Sequence, residues 1–76
     1  MKELDCVILT TDLPEHGLRK GDLGTVVLVH RPGAGYEIEF VALDGETICV
    51  VTVLASQVRA VGRREIAHAR PVGIPA

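Results

Sequence analysis

The segment from Leu18 to Phe40, LRKGDLGTVVLVHRPGAGYEIEF, constrains the fold of this chain more than any other. Lys20-Gly21-Asp22 is a tight-turn signal, and Gly24-Thr25-Val26-Val27-Leu28-Val29 opens a β-branched run suited to a pleated, half-buried surface. Arg31-Pro32-Gly33-Ala34-Gly35 breaks that strand with a proline and two glycines. Tyr36-Glu37-Ile38-Glu39-Phe40 then alternates apolar and acidic residues, the period of a strand with one buried face. Turn, strand, loop and strand in this order predict a small, strongly bent antiparallel barrel.

The flanking sequence supplies the remaining strands. A first strand is expected over residues 5–10, followed by a long connection, Thr11-Asp12-Leu13-Pro14-Glu15-His16-Gly17, in which Pro14 cannot donate to a ladder. Strands two and three fall at 24–29 and 36–41. Asp44-Gly45 then signals a two-residue hairpin turn into a fourth strand over 47–53. Leu54-Ala55-Ser56-Gln57 reads as one helical or 3₁₀ turn, and Val58 to Val61 as a short fifth strand. Five short strands, one long first connection and a helical turn before the last strand describe an all-β, SH3-like barrel over residues 1–61. The core is expected from Val7 or Ile8, Leu9, Val26 or Val27, Ile38, Phe40, Val50 and Val51. Residues 62–76 differ in composition and read as a flexible or partner-docked C-terminal tail. Arg63 to Arg70 has room for one or two helical turns before Pro71, Gly73 and Pro75 stop them.

At 76 residues the chain makes one domain, and a domain this small has little interior. Yet 47% of its residues are hydrophobic, with one Phe, one Tyr and no Trp. Strands two and four are aliphatic on both faces, so part of that apolar surface must point outward. It predicts a homodimer or another protein partner, unless the tail folds back to shield it. The net charge of −2 leaves no electrostatic footprint for nucleic acid, and no run approaches the roughly 20 apolar residues that span a bilayer.

The candidate chemistry is sparse. Cys6 and Cys49 sit in apolar strand-like runs without CxxC spacing, where burial would raise and silence their thiols. A reducing cytoplasmic setting follows, with a disulfide open only if those two strands are neighbours. His16, His30 and His68 show no paired ligand spacing, so neither a metal nor another cofactor is expected. No order of residues suggests a catalytic triad. Glu37 and Glu39 form an acidic stripe, either a solvated strand face or a dock for a basic partner. Arg63 and Arg64 are the clustered cations of the tail, and Gly21, Asp22 and Gly24 are expected to shape the turn into strand two, with at least one of the glycines at positive φ.

The stretches Leu13-Pro14-Glu15-His16-Gly17-Leu18, Lys20 to Val27, Tyr36 to Phe40, Asp44 to Thr47 and Ala55 to Arg59 resemble a bacterial and cyanobacterial family of very short proteins known as a domain of unknown function. The likeness covers roughly residues 3 to 61. It implies an SH3-like fold and a frequent place beside genes for toxin-like or other small proteins, with no established enzymatic activity and no catalytic residue. The expected function is therefore a non-enzymatic protein-interaction domain, partner or antitoxin-like neutraliser of a co-encoded protein. The alternative is a KOW-like nucleic-acid or ribosome-associated module, whose Gly-Asp-x-Gly-x-Val turn is present at Gly21 to Val26.

Overall fold

The computed structural model describes residues 1–31 and 34–72. Pro32 and Gly33 of the expected hairpin loop, and Gly73 to Ala76 of the expected tail, lie outside the described residues. Five strands form one antiparallel sheet: β1 (Cys6–Leu9), β2 (Leu23–Val29), β3 (Gly35–Val41), β4 (Thr47–Leu54) and β5 (Val58–Ala60). One 3₁₀ turn, Pro14–His16, lies between β1 and β2, and another, Ala55–Gln57, joins β4 to β5. Each strand lies within two residues of its expected bounds.

The spatial order is β4-β3-β2-β1-β5, which corrects the expectation of a barrel. β4 and β5 remain the two edges, and no ladder joins them among the described residues. They are nevertheless consecutive in the chain, linked by the three residues of the second 3₁₀ turn. A flat five-stranded sheet would hold its edges about 19 Å apart. The four steps from Leu54 to Val58 reach about 14 Å at most. The sheet must therefore curl without closing, and its concave side holds the core.

That core is Val7, Leu9, Val26, Tyr36, Ile38, Phe40, Val51, Val53 and Val58, with Leu13 and Leu18 from the first connection. Leu13 and Leu18 exchange backbone hydrogen bonds of 3.0 and 3.1 Å across the Pro14–His16 turn, so the loop is a plug with two apolar anchors. The strand alternation on β3 reads out as expected, with Tyr36, Ile38 and Phe40 inward. Val50 does not: it is 53% exposed, because Ile38 pairs with Val51 and the pleat sends adjacent residues to opposite faces. Val26 is the inward member of its pair, and the register shifts between Val26 and Leu28, so that both Val27 and Leu28 are exposed.

The β3–β4 hairpin also departs from expectation. Gly45 N–H donates to the Ala42 carbonyl and Ala42 N–H to the Glu46 carbonyl, which makes a three-residue loop of Leu43, Asp44 and Gly45. A three-residue loop with Gly45 at positive φ, 95°, thus replaces the expected two-residue turn.

Gly21 and Gly24 serve different ends. Gly21 takes φ = 96° in the turn that carries the chain into β2, as expected for one of the pair. Gly24 has ordinary backbone angles but lies buried where a Cβ would come within 2.4 Å of Ile38 Cγ2 and 2.9 Å of Phe40 Cε1. Its lack of a side chain makes room for the core residues of β3.

Candidate functional site

The convex side of the sheet carries three cross-strand rows. The register aligns Arg59, Ile8 and Leu23 at one end, Cys6, Thr25, Glu39 and Val50 in the middle, and Leu28, Glu37 and Thr52 at the other end. Pleating places these residues opposite the core. Glu37 and Glu39, the expected acidic stripe, are thus brought together on the outer face of β3, and each is held by neighbours. Glu37 accepts hydrogen bonds from the Thr52 hydroxyl and, at 2.8 Å, from His30 Nε2. Those two bonds, Thr52 foremost, hold its carboxyl below the usual range. Glu39 accepts from Thr47 Oγ1 at 2.8 Å. Around the carboxylates stand exposed aliphatic side chains: Val27, Leu28, Val50 and Leu54. The sequence pointed to the two glutamates but not to His30 and Thr52 as their clamps, since those contacts arise from cross-strand register.

The opposite end of the outer face is covered. Residues 61–72 contain neither helix nor strand, in place of the helical turns that Arg63 to Arg70 had room for. Two ion pairs tie this segment to the sheet instead. Arg59 on β5 binds Glu65 through both guanidinium nitrogens, at 2.8 and 2.6 Å, and the Gly62 N–H also donates to Glu65. The Arg59 hydrogen bonds, with the Gly62 N–H behind them, pull the Glu65 carboxyl down to about 2. Arg70 reaches Asp22 with Nε at 2.9 Å and with Nη2, which also donates to the Gly17 carbonyl at 3.2 Å.

Asp22 therefore does more than shape the turn. Its carboxylate accepts the Arg19 N–H at 2.8 Å, and the Asp22 N–H returns a bond to the Arg19 carbonyl at 3.0 Å. Burial alone would raise its pKa, but the hydrogen bonds from Arg70 and Arg19 outweigh that and hold it below the ordinary carboxylate range. Arg63 and Arg64, the cations the sequence singled out, are exposed and take no part in the two clips. The charges that hold the segment to the sheet are Glu65 and Arg70. A weak signal for Arg70 existed in its isolation among small and apolar residues; for Glu65 there was none.

Between the segment and the sheet lies a groove of about 780 Å³, walled by Ile8, Leu23, Phe40, Val41, Leu43 and Ile48 on one side and by the segment itself, residues 65–70 and Val72, on the other. Ile8 sits on the convex side between inward Val7 and Leu9, yet is only 7% exposed.

The cysteines part company. Cys6 is exposed on the outer face, contrary to the expected burial, because it alternates with inward Val7. Cys49 is half-buried, which pushes its thiol up. β2 and β3 separate their strands, and both cysteines are free. Among the described residues no helix is long and apolar enough to cross a membrane, and no three His, Cys, Asp or Glu side chains converge as a metal site would require.

Comparison with curated proteins and with solved structures returns no match. Comparison with family profiles matches residues 3–60 to a family described as Domain of unknown function (DUF4926). That span takes in all five strands, the Leu13/Leu18 plug, the Asp22 turn and Arg59, and ends before the segment that bears Glu65 and Arg70. The chain belongs to the DUF4926 family.

Proposed function

We propose that this chain is a non-enzymatic protein-interaction domain of SH3-like architecture, which acts in a reducing cytoplasm as the partner or antitoxin-like neutraliser of a co-encoded protein. The observation that carries this reading is the open end of the convex face. Two carboxylates, Glu37 and Glu39, lie among exposed Val27, Leu28, Val50 and Leu54. A partner surface of basic and aliphatic side chains complements that chemistry: its cations meet the glutamates, and its apolar groups remove Leu28 and Val50 from water. Among the described residues the outer edge of β4 pairs with no further strand, which leaves a row of backbone groups open beside the same face. Curl without closure, with a 3₁₀ link between the sheet's edges, supports the SH3-like assignment. The gene-neighbour aspect rests on the family resemblance.

The test is co-purification with the products of adjacent genes, followed by sedimentation of the complex. A stoichiometric complex is expected, weakened at least tenfold by Leu28→Asp or Val50→Asp with the melting temperature unchanged. A complex indifferent to both substitutions, or none at all, overturns the reading. Binding to RNA or DNA that falls steeply with added salt would replace it with the nucleic-acid module. Sedimentation of the chain alone shows whether this face also closes a homodimer.

A further inference from the structure

The two edges of the sheet meet solvent differently. β5 is three residues long and carries Arg59, whereas β4 is eight residues long and has neither a charge nor a proline from Thr47 to Leu54. Edge strands are ordinarily blunted by such residues, or by shortness, against the addition of another strand. The β3–β4 ladder shows which backbone groups of β4 stay open. Ala55 N–H donates to the Ala34 carbonyl, one step beyond the Gly35–Leu54 pair. The alternation of an antiparallel ladder then turns the N–H and C=O of Cys49, Val51 and Val53 toward β3, and those of Val50, Thr52 and Leu54 outward. Gln57 Oε1 accepts the outward Leu54 N–H at 2.8 Å, which stops the open edge at that end. At the other end Ile48 is the extra residue of a bulge, since Phe40 pairs with Cys49 and Val41 with Thr47. Among the described residues, Val50 and Thr52 keep both backbone groups open between these two stops.

We propose that the occupant of this edge is a second copy of the chain, whose β4 pairs antiparallel with β4 about a twofold axis at Val51. Val50 of each copy then lies opposite Thr52 of the other, and the two pairs exchange four backbone hydrogen bonds. The stops coincide in this register, because the bulged Ile48 of one copy falls opposite the capped Leu54 of the other. An axis at Val50 would set Thr52 against the bulge, and an axis at Thr52 would set Val50 against Leu54, whose N–H is taken. One register therefore uses every open group. This fit of the strand to itself, with no like charges brought together, singles out a second copy as the occupant. A twofold pairing closes at two chains and leaves no edge to propagate from β4. Both convex faces lie on one side of the joined sheet, so the Glu37/Glu39 surface is doubled; the pairing itself does not require the partner proposed above.

Sedimentation equilibrium of the full-length chain alone, at high micromolar concentration, is expected to give the mass of two chains. Amide exchange should show Val50 and Thr52 protected in the dimer and released on dilution. Val50→Pro removes an outward N–H and none of the β3–β4 bonds, and should weaken the dimer at least tenfold. Leu28→Asp, two strands away, should leave it intact, which separates this pairing from capture of a co-encoded protein. Should Val50→Pro fail to melt cooperatively, disulfide trapping decides. In a Cys6→Ser, Cys49→Ala background, a mixture of chains carrying Val50→Cys and Thr52→Cys should cross-link at least tenfold faster than either chain with itself. Directly opposed Cα atoms about 5.5 Å apart suit a disulfide, whereas diagonal ones lie too far apart. A monomer at every concentration, or cross-linking fastest between identical variants, would overturn the proposal. So would Val50 and Thr52 amides protected only when a co-encoded protein is added, which would give the edge to that protein.

Discussion

Ile8 and Leu28 stand on the same convex face of one sheet, at opposite ends, and only one of them is buried. Ile8 is 7% exposed beneath residues 62–72; Leu28 is 47% exposed beside Glu37. Neither strand sequence explains the difference, since both residues sit in aliphatic runs. What differs is a crossing segment with two ion pairs to hold it in place. In a curled sheet too small to hide all its apolar surface, the fate of an outward side chain is decided by the chain outside the strands.

Truncating the two side chains puts that contrast at greatest risk. Ile8→Ala should cost about 2–3 kcal/mol, the low end for deleting a buried aliphatic side chain, because the segment above can partly collapse. Leu28→Ala should change stability by no more than about 0.5 kcal/mol. Urea denaturation measures both, and equal costs would mean that the two ends are equally covered or equally open. Arg70→Ala should cost about 1–2 kcal/mol through the lost charge-assisted bonds to half-buried Asp22. In that background the Ile8→Ala penalty should shrink, which a double-mutant cycle reads directly. Leu28→Ala should show no such coupling. Val50→Thr, at the open end, should be neutral within about 0.5 kcal/mol, and a larger loss would place Val50 inside after all.

The smallest effect concerns pH. The Glu65 carboxyl lies at about 2 when folded against 4.5 ordinarily. A depressed value means that the clip's contribution is complete above pH about 4.5 and disappears as pH falls through about 2. The Glu65 side-chain carbon signal, followed by NMR, should titrate near 2; a midpoint near 4.5 would show that the Arg59 clip is not formed in solution. Added salt should weaken the clip as well, since the pair lies at the surface.

Where one face of a strand is acidic, the sequence was legible. β3 alternates, so Tyr36, Ile38 and Phe40 could be placed inward from spacing alone. β2 and β4 are aliphatic on both faces, and the register shifts at Val26/Leu28 and Phe40/Val41 break the period of two besides. Nothing in Val26 to Val29 or Ile48 to Val51 marks which residue the pleat will turn outward. The Asp22 turn could be read as a turn because its signals are local. Its second role, as anchor for Arg70, joins residues 48 positions apart and could not. Of the acidic stripe, both members were legible, while their clamps, His30 and Thr52, are products of pairing across strands.

The β1–β5 ladder has a mechanical consequence. Val7 faces Ala60 and Leu9 faces Val58, so the start of β1 and the end of β5 lie side by side. Tension applied at these two points would peel the ladder open one rung at a time, the weakest way to load paired strands. The Arg70–Asp22 clip changes the route of that load. A pull on the chain beyond Arg70 reaches the Asp22 turn before β2 first, and β5 bears it only after the clip lets go. The Arg70–Asp22 ion pair can then act as a tether, which must be broken before the sheet begins to unzip.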